Sequence, residues 1–321
     1  ALTTEDRVAV VAFDGRRLDL LTNWTGSRDE IERALEAAAG LATGGIERYA
    51  ESESYERGEL TRTQYEEEGA DPESGEPIAP FSESPDLTLR FTQLERQIDR
   101  VSRAAAASLR SFAAPLGRKV MVLLSGGWPW DTAAYLTGES DTGFDLPRSE
   151  APKMLRRISD AANLLGYTLY MVDMPNVRDE GRRESEIHAG LDILAQETGG
   201  KALHNAAGLD ALKTVAEDVR SYYWLGFTAD WKGDRKEHGI EVRVAGDGLE
   251  VRSREGFVDL ARQEEVTLMT ESALMFGGLP NARPLGVELG EPKGGRRSIE
   301  VPVSVLIPMD LIQMLPTADG Y

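Results

Sequence analysis

Three aspartates stand at the ends of apolar, β-branched runs or a few residues beyond, where catalytic and binding side chains are often placed. They are Asp14, Asp131 and Asp173. Open α/β sheets bind their ligands beyond the carboxyl ends of the strands, so these carboxylates are candidates for contact with a cation or a partner. A metal-assisted hydrolase that uses the three carboxylates is one functional hypothesis.

The other bases and nucleophiles form no known catalytic motif. The histidines, His188, His204 and His238, are far apart in the chain, and none has the H-x-x-x-H or H-x-x-E spacing of a metal site. Ser125 is followed by two glycines but lacks the G-x-S-x-G frame of a nucleophile elbow. We therefore assign no catalytic residue and predict that the protein is not an enzyme.

Composition excludes several kinds of partner and site. The formal net charge is −19, with no stretch of basic residues to offset it, and such a surface repels nucleic acid but suits a basic protein or a divalent cation. The absence of cysteine excludes a disulfide, a thiol nucleophile and a thiolate metal site. No apolar run reaches the roughly 18 residues of a membrane span, so we predict no direct membrane insertion.

Aromatic residues cluster at two places. Trp128 and Trp130 lie just beyond a predicted strand, where they either anchor a partner or cap the core beneath the predicted loop Asp131–Arg148. The second cluster is predicted to attach a β extension to the rest of the molecule, and it consists of Tyr222, Tyr223 and Trp224.

Apolar periodicity over residues 1–221 predicts strands that alternate with helices. This order is typical of an α/β domain with a mostly parallel sheet flanked by helices. Residues 46–85 interrupt it as an acidic insertion rich in Gly and Pro, either a solvated loop or a binding arm. The predicted strands are Arg7–Phe13, Arg17–Trp24, Arg118–Ser125, Tyr167–Met174 and Lys201–His204, and the predicted helices are Arg28–Ala39, Leu87–Ala114, Ala151–Leu165, Glu184–Thr198 and Leu209–Ser221.

A different pattern follows in the last third of the chain. Residues 222–259 read as an antiparallel β extension with short strands joined by Gly-Asp turns. Residues 260–321 are predicted to be a linker and the start of a truncated β-rich domain, with a strand at Ser298–Ile307. The three strands of the extension are Tyr222–Ala229, Gly239–Ala245 and Glu250–Val258.

Several of these segments resemble a known family. The runs at 221–227, 238–244 and 248–257 are similar to the YY-x-LGY, H-x-I-x-V-R-V and L-x-V-R-x-R-x-G-Y signature of a bacterial von Willebrand factor A-related (vWA) family common in acidobacteria. The runs at 6–13 and 119–127 look like that family's second and fourth core strands. The resemblance covers residues 1 to about 260 apart from the insertion, and it implies a vWA-like, Rossmann-like fold.

The resemblance also implies a metal-ion-dependent adhesion site, in a degenerate form. The family pattern is a D-x-S-x-S loop, a Thr and an Asp that together hold Mg²⁺ or another divalent cation. Thr43 fits the Thr, but Gly126 stands where the family has Asp, and Asp131 is the candidate substitute. No D-x-S-x-S precedes Arg7.

That loop and the first core strand that carries it are therefore apparently missing from the chain. By resemblance, this strand lies between the second and fourth core strands, and its loss would leave apolar strand edges unpaired. We expect either that the native protein extends upstream to include it or that the remaining strands pair directly.

The resemblance predicts a non-enzymatic protein interaction or adhesion module of a secreted or envelope protein. Its relatives usually carry signal peptides, although this chain shows none. The candidate partner-binding residues are Trp128, Trp130, Asp131 and Asp14. A structural scaffold module in a larger envelope protein is the alternative.

Overall fold

The computed structural model describes most of the chain outside the predicted insertion, and it groups the residues into two units. The first unit is Ala1–Pro280 and the second is Asn281–Tyr321, a boundary later than the predicted one at residue 259. The predicted insertion 46–85 lies outside the described residues, except for Pro85. The described residues are 6–41, 85–112, 117–137, 146–173, 182–205, 208–246, 248–249, 251–277, 285–295 and 298–309.

A hairpin and a helix come first, as predicted. Val8–Phe13 (β1) pairs antiparallel with Leu18–Thr25 (β2). Helix α1, Arg28–Leu41, begins after Ser27, whose Oγ accepts a hydrogen bond of 3.4 Å from the amide of Glu30. A serine in this position satisfies an amide that has no partner within the helix, which explains why the helix starts there.

The central sheet has three parallel strands in the order β3-β4-β5. They are Lys119–Ser125 (β3), Tyr167–Asp173 (β4) and Lys201–Leu203 (β5). Strand β4 is buried along almost its whole length because it has a strand on each side and helices packed against it. The prediction of a mixed α/β fold with a parallel sheet flanked by helices is confirmed at this level, and the arrangement is compatible with a Rossmann-like fold.

Helix α2, Pro85–Ser111, carries a buried carboxylate that joins two further helices. Oε1 of Glu95 accepts hydrogen bonds from Thr132 Oγ1 at 2.7 Å and from Ser149 Oγ at 2.8 Å. Thr132 begins helix α3, Thr132–Thr137, and Ser149 lies just before the next helix. The prediction of a loop from Asp131 to Arg148 is therefore wrong over these first residues, because hydrogen bonds at its start stabilise a short helix.

Three predicted helices complete the α/β layers, with boundaries within a few residues of those expected. They are Ala151–Leu165 (α4), Arg182–Glu197 (α5) and Gly208–Asp218 (α6). Helix α4 packs against α2, and both α4 and α5 pack against β4. The core contains fully buried side chains from α2, α4, α5 and β4, among them Ile98, Leu155, Ile158, Leu169, Met171 and Leu194.

The β extension is much shorter than predicted. Among its described residues, Glu237–Gly239 (β6) pairs antiparallel with Gly256–Val258 (β7), and Arg254 forms a single antiparallel bridge with Thr198. The segment Tyr222–Ala229 is not a strand, because no strand within the described residues pairs with it and its side chains are mostly exposed.

A helix occupies the region that the sequence predicted to be a linker. Helix α7, Arg262–Phe276, packs against α2, and the ring of Phe276 meets Phe112 edge-on with centroids 5.8 Å apart. Its apolar residues are spread around the helix rather than along one face, so the periodicity did not indicate it. Gly277, with φ of +72°, ends it.

The second unit holds two antiparallel strand pairs. Gly286–Leu289 (β8) pairs with Val303–Leu306 (β11), and Lys293–Gly295 (β9) pairs with Ser298–Glu300 (β10). The predicted single strand Ser298–Ile307 is broken into β10 and β11 at Pro302, which has no amide hydrogen to donate.

The hairpin and the central sheet remain separate sheets within the described residues. β1 pairs with β2, and β3 pairs with β4 on one edge. Of the two alternatives expected, direct pairing of the remaining strands is therefore not seen between β1 and β3 there.

Candidate functional site

The carboxyl edge of the central sheet gathers several polar side chains. Ser125 and Asp173 are paired in register at the ends of β3 and β4, and His204 directly follows β5. Parallel strands end on the same side of a sheet, so side chains from three strands meet at one edge. Asp173 is thus placed where the sequence predicted it.

Two histidines join Asp173 there. The Oδ2 atom of Asp173 lies 3.4 Å from Nε2 of His188, and the rings of His188 and His204 are 4.0 Å apart between centroids. His204 Nε2 lies 2.9 Å from Oδ1 of Asp192. We call Asp173, His188, Asp192 and His204 the sheet-edge cluster.

Sequence reasoning treated these histidines as unrelated, yet one signal pointed to the cluster. His188 and Asp192 are four residues apart on α5, which places them on one face of the helix beside the end of β5. Carboxylates that pair with imidazoles fix the ring orientation and can hold a proton. The Oγ of Ser125 accepts a hydrogen bond of 3.1 Å from the amide of Gly127, which orders the loop after β3.

The loop after β3 is packed closely onto α5. Gly127 has φ of +74°, and a methyl group added to it would lie 2.1 Å from Cγ2 of Ile187. A methyl group added to Gly190 of α5 would lie 2.6 Å from the carbonyl oxygen of Trp128. Glycine at both positions allows the two backbones to approach each other.

The two tryptophans of this loop serve the core. Trp128 is only 6% exposed and belongs to the main hydrophobic cluster, so it is not available as an exposed anchor. Trp130 is half-buried against the same cluster, with the guanidinium of Arg156 5.4 Å from its ring centroid. Trp128 and Trp130 therefore cap the core rather than stand exposed as anchors for a partner.

Asp131 acts as a helix cap. Its Oδ1 accepts hydrogen bonds from the amides of Ala133 at 2.8 Å and Ala134 at 3.1 Å, at the start of α3. Its own amide donates to Oε2 of Glu186. Burial raises the pKa of the Glu186 carboxyl, and the nearby Asp131 carboxylate raises it further, although the hydrogen bond from the Asp131 amide opposes the change. The other predicted metal ligand, Thr43, lies outside the described residues, so a metal role for Thr43 and Asp131 stays a prediction.

Asp14 closes the hairpin between β1 and β2. Its Oδ1 accepts hydrogen bonds from the amides of Arg17 and Arg16, and these bonds lower the pKa of the Asp14 carboxyl. Asp14 and Asp131 are thus both explained by local backbone structure. Within the described residues, neither belongs to a group of three or more acidic and histidine side chains whose ligand atoms lie close enough together to share a cation.

One such group exists elsewhere, and sequence reasoning missed it. One carboxylate oxygen of Asp234, a ring nitrogen of His238 and one carboxylate oxygen of Asp259 all lie within 4.8 Å of one another. Asp234 and His238 form a D-x-x-x-H spacing whose histidine lies in β6, and Asp259 directly follows β7, which pairs with β6. This D-x-x-x-H pattern is neither of the metal-site spacings, H-x-x-x-H and H-x-x-E, on which the sequence-based prediction rested.

The run Tyr222 to Trp224 is exposed, which corrects the prediction that it attaches the β extension to the α/β layer. Tyr223 is 96% exposed and Trp224 is 70% exposed. The guanidinium of Arg118 lies 4.6 Å from the ring centroid of Tyr222. We call residues 222–231 the aromatic segment, because Phe227 and Trp231 continue the exposed surface.

No family model, curated protein or solved structure matches the chain. The vWA family therefore remains a prediction from the residues alone. In the part of the chain that the structure describes, no helix combines the length and apolar character needed to cross a bilayer.

The described sites differ in the kind of ligand that they can bind. The sheet-edge cluster offers paired imidazoles and carboxylates, and the Asp234, His238 and Asp259 group offers three ligand atoms to a cation. The aromatic segment offers a large apolar surface without an ordered strand.

Proposed function

We propose that this chain is a vWA-like protein interaction module that carries out no catalysis and works outside the cytoplasm. The order of parallel strands and flanking helices supports a vWA-like fold, since it is the architecture that the sequence resemblance implies. The observation that carries the interaction function is the aromatic segment, where large apolar side chains stand in solvent.

Exposed apolar surface of this kind is uncommon in a soluble protein. Contiguous exposed apolar patches mark contact sites, and Trp and Tyr are enriched among the residues that contribute most to binding. Two rings of the segment also lie against Phe257, with centroid distances of 5.0 Å for Trp231 and 6.2 Å for Phe227. The side chains that are more than half exposed are Tyr222, Tyr223, Trp224, Leu225, Phe227 and Trp231.

The proposed partner is a protein with an apolar patch surrounded by basic side chains. The apolar patch would cover the aromatic rings, and the basic surround would complement a chain with a net charge of −19. Of the partner-binding candidates predicted from sequence, Trp130 contributes at most part of its ring, because it is half-buried, while Asp14 and Asp131 already bind local amides.

The test uses a photo-crosslinking amino acid placed at position 223 or 224 in cells of the source organism. We expect one specific protein to be crosslinked at these positions and not at position 274, which lies on α7. Binding of the purified partner is then measured with Trp224→Ala and Leu225→Ala, and we expect affinity to fall about tenfold or more. Leu274→Ala is the matched control for Leu225→Ala, since the two leucines are 78% and 71% exposed.

Two results would contradict the proposal. Equal binding of the wild type and the variants of residues 224 and 225 would exclude the aromatic segment as the interface. The lack of any specific crosslinked protein would favour the alternative, a structural scaffold module in a larger envelope protein.

A further inference from the structure

We infer that Asp234, His238 and Asp259 form a binding site for one divalent transition-metal ion of the zinc class. This site is independent of the proposed interaction function and of the adhesion site that the resemblance implies. It rests on four features: the spacing of the ligand atoms, a buried oxygen without a donor, a turn that holds the ligands in place, and the mixture of nitrogen and oxygen ligands.

The spacing is close to what a metal requires. The three ligand atoms lie within 4.8 Å of one another. Zinc binds nitrogen and carboxylate oxygen at about 2.0–2.2 Å, which puts tetrahedral ligand atoms about 3.4 Å apart. Because Asp234 is exposed and His238 is half-buried, small side-chain rotations can bring the atoms to that separation.

Asp259 supplies the feature that a surface cluster of acids would lack. It is 1% exposed, and its Oδ2 accepts hydrogen bonds from the amides of Lys232 at 2.6 Å and Gly233 at 3.0 Å. Its Oδ1 is buried and has no hydrogen-bond partner. A buried carboxylate oxygen without a donor is costly, and a bound cation removes that cost.

The backbone around Asp259 fixes the ligands before any metal binds. The amide of Arg235 donates to the carbonyl oxygen of Asp259 at 2.8 Å, and the amide of Asp259 donates to the carbonyl oxygen of Lys236 at 3.0 Å. His238 is paired with Phe257 across β6 and β7, and the two rings stack with centroids 5.1 Å apart. The imidazole and both carboxylates are thus carried by one short, hydrogen-bonded unit.

The ligand types select the class of metal. An imidazole nitrogen favours zinc and its neighbours in the transition series, whereas Mg²⁺ and Ca²⁺ prefer oxygen ligands alone. Three protein ligands leave at least one coordination position for water. Lys236 competes for the site, because its Nζ lies 2.7 Å from Oδ2 of Asp234 and its amide donates to Oδ1 of Asp234 at 3.1 Å. The ammonium end of this ion pair is exposed, so a bound metal ion can displace it at little cost.

The experiment is calorimetric titration of Zn²⁺ into the full chain, with Mg²⁺ and Ca²⁺ as comparison ions. We expect one Zn²⁺ per chain, with Mg²⁺ and Ca²⁺ bound at least tenfold more weakly. Asp234→Asn and His238→Gln should each weaken Zn²⁺ binding at least tenfold. Asp230→Asn is the matched control, because Asp230 is an exposed aspartate outside the group, and it should bind Zn²⁺ as the wild type does.

The test relies on Asp234 and His238 because Asp259 also holds the turn, so its replacement could unfold the region. Lys236→Gln adds a change of opposite sign: removal of the competing ammonium should tighten Zn²⁺ binding. Failure of the wild type to bind Zn²⁺ would overturn the inference. So would Zn²⁺ binding that survives His238→Gln but is lost in His204→Gln, since that would locate the ion at the sheet-edge cluster.

Discussion

Gly127 and Gly15 show that the same backbone conformation can serve different needs at different residues. Both have positive φ, +74° at Gly127 and +91° at Gly15. A methyl group at Gly15 would meet nothing within 4 Å, whereas at Gly127 it would lie 2.1 Å from Cγ2 of Ile187. Gly15 is thus needed only for the turn, and Gly127 is needed for the turn and for the packing of the loop on α5.

Replacement of each glycine by alanine should separate these two contributions. We expect Gly127→Ala to lower the free energy of unfolding by about 2–4 kcal/mol, because left-handed strain and overpacking add. Gly15→Ala should lower it by about 1 kcal/mol, from strain alone. Urea denaturation of the two variants measures the difference, and equal losses would show that the contact with Ile187 relaxes at no cost.

At the scale of elements, one carboxylate connects a helix, the central strand and the segment after residue 250. Asp218, at the end of α6, accepts hydrogen bonds from the hydroxyl of Tyr170 in β4 and from the guanidinium of Arg252. Burial raises the pKa of Tyr170 to about 12, and the bond to Asp218 adds to that rise. Burial alone would raise the pKa of Asp218, but the bonds from Arg252 and Tyr170 outweigh it and lower that pKa.

This arrangement predicts a loss of stability in acid. A carboxyl with a lowered pKa in the folded state stabilises the fold fully above its ordinary value of 3.8 and loses that effect as pH falls through the lower folded value. Asp218→Asn should therefore reduce the free energy of unfolding by about 2 kcal/mol at neutral pH. The difference from the wild type should shrink below pH 3.8.

The control for this prediction lies on the same helix. Asp210 pairs with Lys213 in solvent, where water screens the pair, so Asp210→Asn should reduce stability at neutral pH much less than Asp218→Asn does. Denaturant titrations from neutral to acid pH provide the measurement. A destabilisation by Asp218→Asn that is independent of pH would show that the ionised carboxylate is not what joins these elements.

At the scale of the whole molecule, burial is distributed very unevenly. In β4, residues such as Leu169 and Met171 have no exposed surface. Every described residue of the second unit, by contrast, is exposed, although its strands pair. Hydrogen-bonded strands without buried apolar contacts open readily, because the energy that holds them closed is small.

Hydrogen exchange should reveal this contrast. We expect the amides of Tyr167–Asp173 to exchange only when the first unit unfolds, and those of Gly286–Leu289 and Val303–Leu306 to exchange at rates near those of an unstructured chain. Mass spectrometry of peptic peptides after timed exposure to deuterated water provides the measurement. Strong protection of β8 and β11 would mean that a further surface covers the second unit.

The elements that were predicted correctly are those whose own apolar pattern is enough to determine them. The middle of β3 and most of β4 are apolar, and α4 has one apolar face, so pattern alone sufficed for them. Helix α7 was missed because its apolar residues do not share a face, and Tyr222–Ala229 was wrongly predicted as a strand because pairing depends on a neighbour that the pattern does not specify.

The candidate sites were harder to predict, because contacts between distant segments make them. Asp173 was placed correctly at the sheet edge, since a strand end determines its position. The partners of Asp173 on α5, and the approach of Asp259 to Asp234, depend on how loops pack and on which strands pair. Spacing in the chain carries little of that information.

The close approach of the β3 loop to α5 also constrains how this protein can change over evolutionary time. Gly127 of the loop faces Ile187 of the helix, and Gly190 of the helix faces the carbonyl oxygen of Trp128. A larger residue on either side requires a smaller one, or a displaced backbone, on the other. Selection therefore acts on these two segments jointly, and mutations that reach fixation in one of them should depend on the residues already present in the other.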